Sequence, residues 1–182
     1  VIVEDADGLV DPSKDPSYKS KDFNRASEVN KTAKKFITRV TSQKNLDASN
    51  KKLKELIDKA NALGIKVILD GVFNHCGSFN KWLDREHIYP ENGAYETADS
   101  KYNKYFKFKE DKWPNNESYE DWWGYKTLPK LNYEDSPELY NKIMDISKKW
   151  VKEGIAGWRL DVASDLGHTA KFNHKFWADM RK

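Results

Sequence analysis

Ile155-Ala-Gly-Trp-Arg-Leu-Asp161 is the stretch that decides the fold: a short, largely apolar run entered from a glycine and closed by an aspartate. Side chains alternate along a strand, so Gly157, Arg159 and Asp161 share one face while Trp158 and Leu160 share the other. A helix leads into it. Ser136 followed by Pro137 supplies a capping hydroxyl and a proline at the first helical position. Leu139, Ile143, Ile146, Trp150 and Val151 form its expected buried stripe, and Gly154 ends it. A further helix begins near Thr169, with Phe172, Phe176, Trp177 and Met180 as its apolar residues.

The same order occurs earlier in the chain. Leu53, Leu56, Ile57, Ala60 and Leu63 recur at helical spacing and stop at Gly64. Ile65-Lys-Val-Ile-Leu-Asp70 follows, almost continuously apolar, as expected for a parallel strand covered on both faces. Helix, strand, long excursion, helix, strand, helix is the rhythm of βαβ units. Residues 1–50 read as a polar connecting segment with a short helix around residues 33–40, and 51–75 as helix and strand. Residues 76–135, rich in aromatics, Pro, Asn and Gly, are too long for an ordinary connection and read as an inserted subdomain. Residues 136–182 form the second helix, the second strand and the helix after it.

The 182 residues fall short of the roughly 250 usual for a closed eight-stranded α/β barrel. Thirty-two Lys and Arg against 29 Asp and Glu leave a net charge of +3 with no concentrated basic stripe, which argues against a nucleic-acid partner. No apolar stretch approaches the roughly 18 residues of a membrane span, so no membrane partner is expected. Cys76 is the single cysteine; it excludes an intrachain disulfide and leaves the compartment unassigned. Aromatic residues make up 13% of the chain, many in polar segments, where they suit either flat sugar rings or the packing of a loop-rich subdomain. Asp5, Asp7 and Asp11 are spaced as in some calcium loops, and equally as in an acidic surface turn.

Parallel α/β folds place their chemistry at the carboxyl ends of strands, and both strands here end in aspartate. If Trp158 and Leu160 face the outer helices, Arg159 and Asp161 point into the open mouth. A fixed cation beside Asp161 favours its ionised form, which is what attack on an anomeric carbon requires. The same spacing also fits a structural Arg–Asp pair closing a barrel layer. His75, just past the first strand, can donate a hydrogen bond to a sugar hydroxyl or serve structure alone. Asp70 orients its neighbours or touches substrate.

Asp70-Gly-Val-Phe-Asn-His75, Leu128-Pro-Lys-Leu-Asn132 and Gly157-Trp-Arg-Leu-Asp-Val-Ala-Ser-Asp165 together resemble, in order, three motifs of the α-amylase family of glycoside hydrolases, closest to its neopullulanase, cyclomaltodextrinase and amylopullulanase branches. The resemblance implies a segment of a (β/α)8 TIM barrel, with an inserted subdomain between the third strand and third helix. It implies a retaining hydrolase of α-1,4, and also α-1,6, glucosidic bonds in starch-like glucans. Asp161 matches the nucleophile, Arg159 the residue beside it, His75 a substrate contact, and Asn74 and Asp70 positions that organise the site. Asp165 falls where relatives contact the acceptor side of the glucan. Trp122, Trp123 and Tyr125 line the cleft or pack the subdomain.

No cofactor is required by this chemistry. Relatives that bind calcium between barrel and inserted domain carry an acidic residue where this chain has Lys130, whose ammonium would repel the ion. Retaining hydrolysis also needs a second carboxyl about 5 Å from the nucleophile; none is expected before Lys182, so the partners are an α-glucan and the remaining barrel segments. Alone, the segment is expected to be inactive and prone to association. Two other functions share these residues: a non-catalytic glucan-binding or scaffolding barrel, and an α-glucan transglycosylase.

Overall fold

The computed structural model describes residues 42–182, together with the backbone of two short strands nearer the amino terminus. Those strands, β1 (Val3–Asp5) and β2 (Gly8–Val10), pair antiparallel with Val3 opposite Val10. The helix expected around residues 33–40 and the side chains of Asp5, Asp7 and Asp11 lie outside the described residues. The chain divides into two compact units, Val1–Lys66 and Val67–Lys182.

In the first unit, helix α1 spans Gln43–Ala62. It begins inside the segment read from sequence as polar connection, well ahead of Leu53. Its first turns carry no apolar stripe for a periodicity to register. Asn45 and Ile57 are its buried residues, and Gln43 Nε2 donates to Asp47 at 2.8 Å and Lys52 to Glu55 at 3.0 Å, pairings that suit helical spacing. Gly64, at φ 73°, turns the chain out of the helix, a conformation glycine adopts without penalty.

The second unit contains, in order, β3 (Ile68–Gly71), a 3-10 turn at Asn103–Tyr105, β4 (Asp121–Trp122), β5 (Tyr125–Pro129), α2 (Pro137–Lys152), β6 (Gly157–Leu160) and α3 (Ala170–Arg181). Strands β3 and β6 are parallel, with Ile68 opposite Gly157 and Asp70 opposite Arg159. Ala156 N donates to Val67 O at 2.8 Å and Asp161 N to Gly71 O at 3.2 Å, extending the ladder at both ends. The strand is shorter than the apolar run that announced it. Ile68, on the face of Gly157 and Arg159, and Leu160, on the face of Trp158, both remain exposed, because the described sheet has only two strands.

Ser136 caps α2 by accepting from Leu139 N at 3.3 Å, and Thr169 caps α3 by accepting from Phe172 N at 3.1 Å. The buried stripe of α2 is Leu139, Ile143, Met144 and Ser147. Ile146 and Val151, expected inside, are exposed; the stripe lies rotated from the most apolar reading because Ser147 satisfies its hydroxyl on Met144 O at 2.8 Å and can be buried.

Between β3 and α2 the chain folds mainly through turns around buried aromatic residues. Leu83, Tyr105 and Tyr119 sit in the same apolar cluster as Phe73, Leu139 and Phe176, so the excursion and the two following helices share one core. Asp84, buried within a turn, accepts from Ile88 N at 2.7 Å and Tyr89 N at 3.0 Å. The stretch just after β3 runs antiparallel beside β5. Cys76 N donates to Pro129 O at 3.1 Å, Ser78 N to Thr127 O at 3.0 Å and Leu131 N to Asn74 O at 2.9 Å, with His75 opposite Lys130. This pairing carries the β4–β5 hairpin to the carboxyl end of β3.

Candidate active site

Asp70 and Arg159 occupy the same level of adjacent parallel strands, and Asp161 lies one residue past the end of β6. Arg159 Nη1 donates to Asp70 Oδ1 at 3.0 Å and to Asp161 Oδ1 at 2.7 Å. One guanidinium nitrogen therefore bridges two carboxylates at the strand ends. The alternation argument anticipates this, since Arg159 and Asp161 share a face. Bonding to Asp70 first, and then to Asp161, raises the Arg159 pKa further above its ordinary range. On the opposite face Trp158 packs edge-on against Phe73, centroids 5.4 Å apart.

Asn74 is fully buried. Its Nδ2 donates to the main-chain oxygen of Asp165, and its Oδ1 lies 3.2 Å from His75 Nδ1. The first bond fixes which end of the amide is oxygen, so Nδ1 of His75 is the donor in the second. Burial lowers the His75 pKa, opposed by the charge of nearby Asp161. When the ring is neutral with its hydrogen on Nδ1, Nε2 is an acceptor.

Asp165 turns its carboxylate to Lys130, whose Nζ lies 2.7 Å from Oδ1. The segment 161–169 that carries Asp161 and Asp165 is anchored from α3. Asn173 Nδ2 donates to Ser164 O, Gly167 N donates to Asn173 Oδ1 at 2.8 Å, and Trp177 Nε1 donates to Ala163 O at 2.7 Å. Val162, directly after Asp161, holds φ 48°, a region that β-branched residues avoid. Strain there persists only where surroundings impose it, and the α3 anchors are such surroundings. Asn173 and Trp177 read in the sequence as one polar and one core residue of an amphipathic helix; nothing in their spacing marks them as supports.

His168 closes the same segment from the other side. Its Nδ1 bonds Glu134 and its Nε2 lies 3.0 Å from Glu120. At the tip of the β4–β5 hairpin, Trp123 is 82% exposed. It stacks on Trp122, which in turn lies 5.7 Å from the His75 ring. The structure thus forms two bonded sets, Asp70–Arg159–Asp161 and His75–Asn74–Asp165, related by the charge of Asp161 acting on His75, and joins Trp123 to His75 through Trp122.

Among the described residues, no group of three or more His, Cys, Asp and Glu side chains is placed to hold a metal ion. The Lys130 ammonium contacts the Asp165 carboxylate at 2.7 Å. No helix among the described residues is long and apolar enough to cross a membrane.

Comparison with known proteins shows which family the chain resembles. A family model described as "Alpha amylase, catalytic domain" matches residues 37–182. An amylopullulanase of Thermoanaerobacter thermohydrosulfuricus is 34% identical over 70% of this chain and 10% of its own length. A cyclomaltodextrinase of Geobacillus thermopakistaniensis is 34% identical over 71% of this chain and 20% of its own. Among solved structures, the cyclic α-maltosyl-(1→6)-maltose hydrolase of Arthrobacter globiformis in complex with maltose shares 29% identity, with a TM-score of 0.57 over 72% of this chain and 27% of that one. The type III pullulan hydrolase of Thermococcus kodakarensis gives 29% and 0.58, over 72% of this chain and 22% of that one. The chain therefore spans between a tenth and a fifth of the two curated relatives.

Proposed function

The chain belongs to the alpha-amylase catalytic-domain family, its paired parallel strands forming part of a (β/α)8 barrel, and from that membership we propose a retaining hydrolase of α-glucosidic bonds in starch- or pullulan-like glucans. The observation that carries this is the single Arg159 nitrogen shared by Asp70 and Asp161 at the mouth of two parallel strands. The names of the relatives, an amylopullulanase and a pullulan hydrolase, support both α-1,4 and α-1,6 linkages. Residues 76–135 are read as the subdomain inserted between the third strand and third helix, bringing the β4–β5 hairpin to the cleft.

In this mechanism the Asp161 carboxylate attacks the anomeric carbon and the glycosidic bond to the leaving sugar breaks, giving a glycosyl ester on Asp161. Arg159 holds the carboxylate in position. Asp70 fixes the other side of Arg159, and His75 meets a hydroxyl of the sugar under attack through Nε2. A second carboxyl, outside the residues assigned here, protonates the leaving oxygen and then activates the water that cleaves the ester. No calcium is assigned between β5 and the segment after β6, because Lys130 holds Asp165 there.

The test is Asp161→Asn in the full-length protein, assayed on maltoheptaose and pullulan. Turnover falls by at least about 10⁴-fold, as expected when a nucleophile is removed, while maltoheptaose still binds. Retained turnover overturns the assignment of Asp161. Transfer to a second glucan in place of water would appear as longer products from the wild-type protein.

A further inference from the structure

The β4–β5 hairpin has a two-residue turn, Trp123-Gly124, between the paired residues Trp122 and Tyr125. Both turn residues have positive φ, 54° and 85°. Turns of this kind favour Asn or Asp followed by Gly, because a bulky residue fits the left-handed region poorly. Tryptophan is therefore the wrong residue for this turn on backbone grounds. Packing does not account for it either, since Trp123 is 82% exposed and Tyr125 57%.

The rings are nevertheless ordered. Trp123 stacks on Trp122 at 5.2 Å between centroids and 13° between planes, Tyr125 on Trp122 at 6.1 Å and 25°, and His75 lies 5.7 Å from Trp122 at 32°. Trp123 and Tyr125 lie within 25° of the Trp122 plane and His75 is tilted from it by 32°, so the rings make a row that begins at His75 and ends in solvent at the hairpin tip. A backbone outlier that displays an exposed aromatic face on the hairpin carried to the strand ends is an observation that points to a ligand.

We propose that Trp122, Trp123 and Tyr125 form a stacking platform for glucosyl rings of the same chain that is attacked at Asp161, extending the site outward from His75 and favouring long glucans over short ones. The proposal rests on the glucan-cleaving function proposed above. A pyranose offers apolar C–H faces to the rings and keeps its hydroxyls at the rim, where water and the hairpin backbone satisfy them. His75 fixes the inner end. The occupant is a flexible polymer of such rings, which fits a wall that is open at one end.

The experiment uses the full-length protein carrying Asp161→Asn, so that ligands bind without turnover, with and without Trp123→Asn. Asparagine suits the turn, so this second change keeps the hairpin folded, as a melting temperature equal to or above that of its parent will show. Maltoheptaose and maltose are titrated calorimetrically. The expected result is an affinity for maltoheptaose lowered by about tenfold with that for maltose within about twofold. Unchanged maltoheptaose affinity, equal losses for both ligands, or no binding of maltoheptaose by the parent overturns the platform. Trp123→Tyr, which keeps a flat ring, should retain most of the affinity. Selective loss in a protein whose wild type cleaves no glucan would uphold the platform and sink the hydrolase; glucan cleavage with unchanged affinity would do the reverse.

Discussion

Lys130 and Asp165 form an ion pair of 2.7 Å in which the lysine side chain is only 13% exposed while the carboxylate is 47% exposed. The pair ties the end of the β4–β5 hairpin to the segment that follows Asp161. Removing the lysine charge leaves a carboxylate that water can reach, so the loss is moderate. Lys130→Met should destabilise the protein by about 1–2 kcal/mol, and a cycle with Asp165→Asn should recover a positive coupling between the two. Chemical denaturation of the four proteins measures it; additive losses would show that the contact contributes nothing.

His168 sits between two carboxylates, and both can accept hydrogen bonds only if both ring nitrogens carry hydrogen. Its pKa is raised above 6.5, chiefly by the bond to Glu134 and then by that to Glu120, against burial and the charge of Lys107. The unfolded histidine loses its proton first as pH rises. The stabilisation is therefore complete below about pH 6.5 and disappears as pH climbs through the raised value. Thermal melts of wild type and His168→Gln across a pH series should show a gap at pH 5.5 that closes in alkali. A gap independent of pH would mean that packing, rather than charge, holds the ring.

Glu86 behaves in the same sense for the opposite chemical reason. Burial pushes its carboxyl up to about 7 from 4.5, although Ser78 Oγ donates to it at 2.9 Å and Arg85 pulls the other way. The folded protein keeps this proton where the unfolded chain has lost it, so stability declines as pH rises from about 4.5 to about 7. Glu86→Gln should flatten that decline and raise the melting temperature at pH 8. An unchanged slope between pH 4.5 and 7 would show that the carboxyl ionises without cost.

The strand-end pairing of Arg159 with Asp161 was legible because alternation along β6 is a local rule, and the two lie two residues apart. Helix starts at Ser136 and Thr169 were legible for the same reason, since a cap and its acceptor bond lie within one turn. What escaped was set by partners distant in sequence. The beginning of α1 carries polar side-chain pairs and no apolar period, and the buried stripe of α2 turned on whether Ser147 could satisfy itself. His168 meets residues 34 and 48 positions away, and Asn173 looks like any polar helix residue until Ser164 and Gly167 are placed beside it.

The amide of Asn74 gives the site a sense of direction. With one end tied to a main-chain oxygen and the other receiving the hydrogen of His75, the sequence of donors and acceptors runs one way only, outward to Nε2. In the proposed function, a sugar oxygen that meets Nε2 of the neutral ring offers its own hydrogen. Shape alone would admit a fluorine in place of that hydroxyl, being similar in size; the orientation imposed by a buried asparagine would refuse it, because two acceptors would meet with nothing between them.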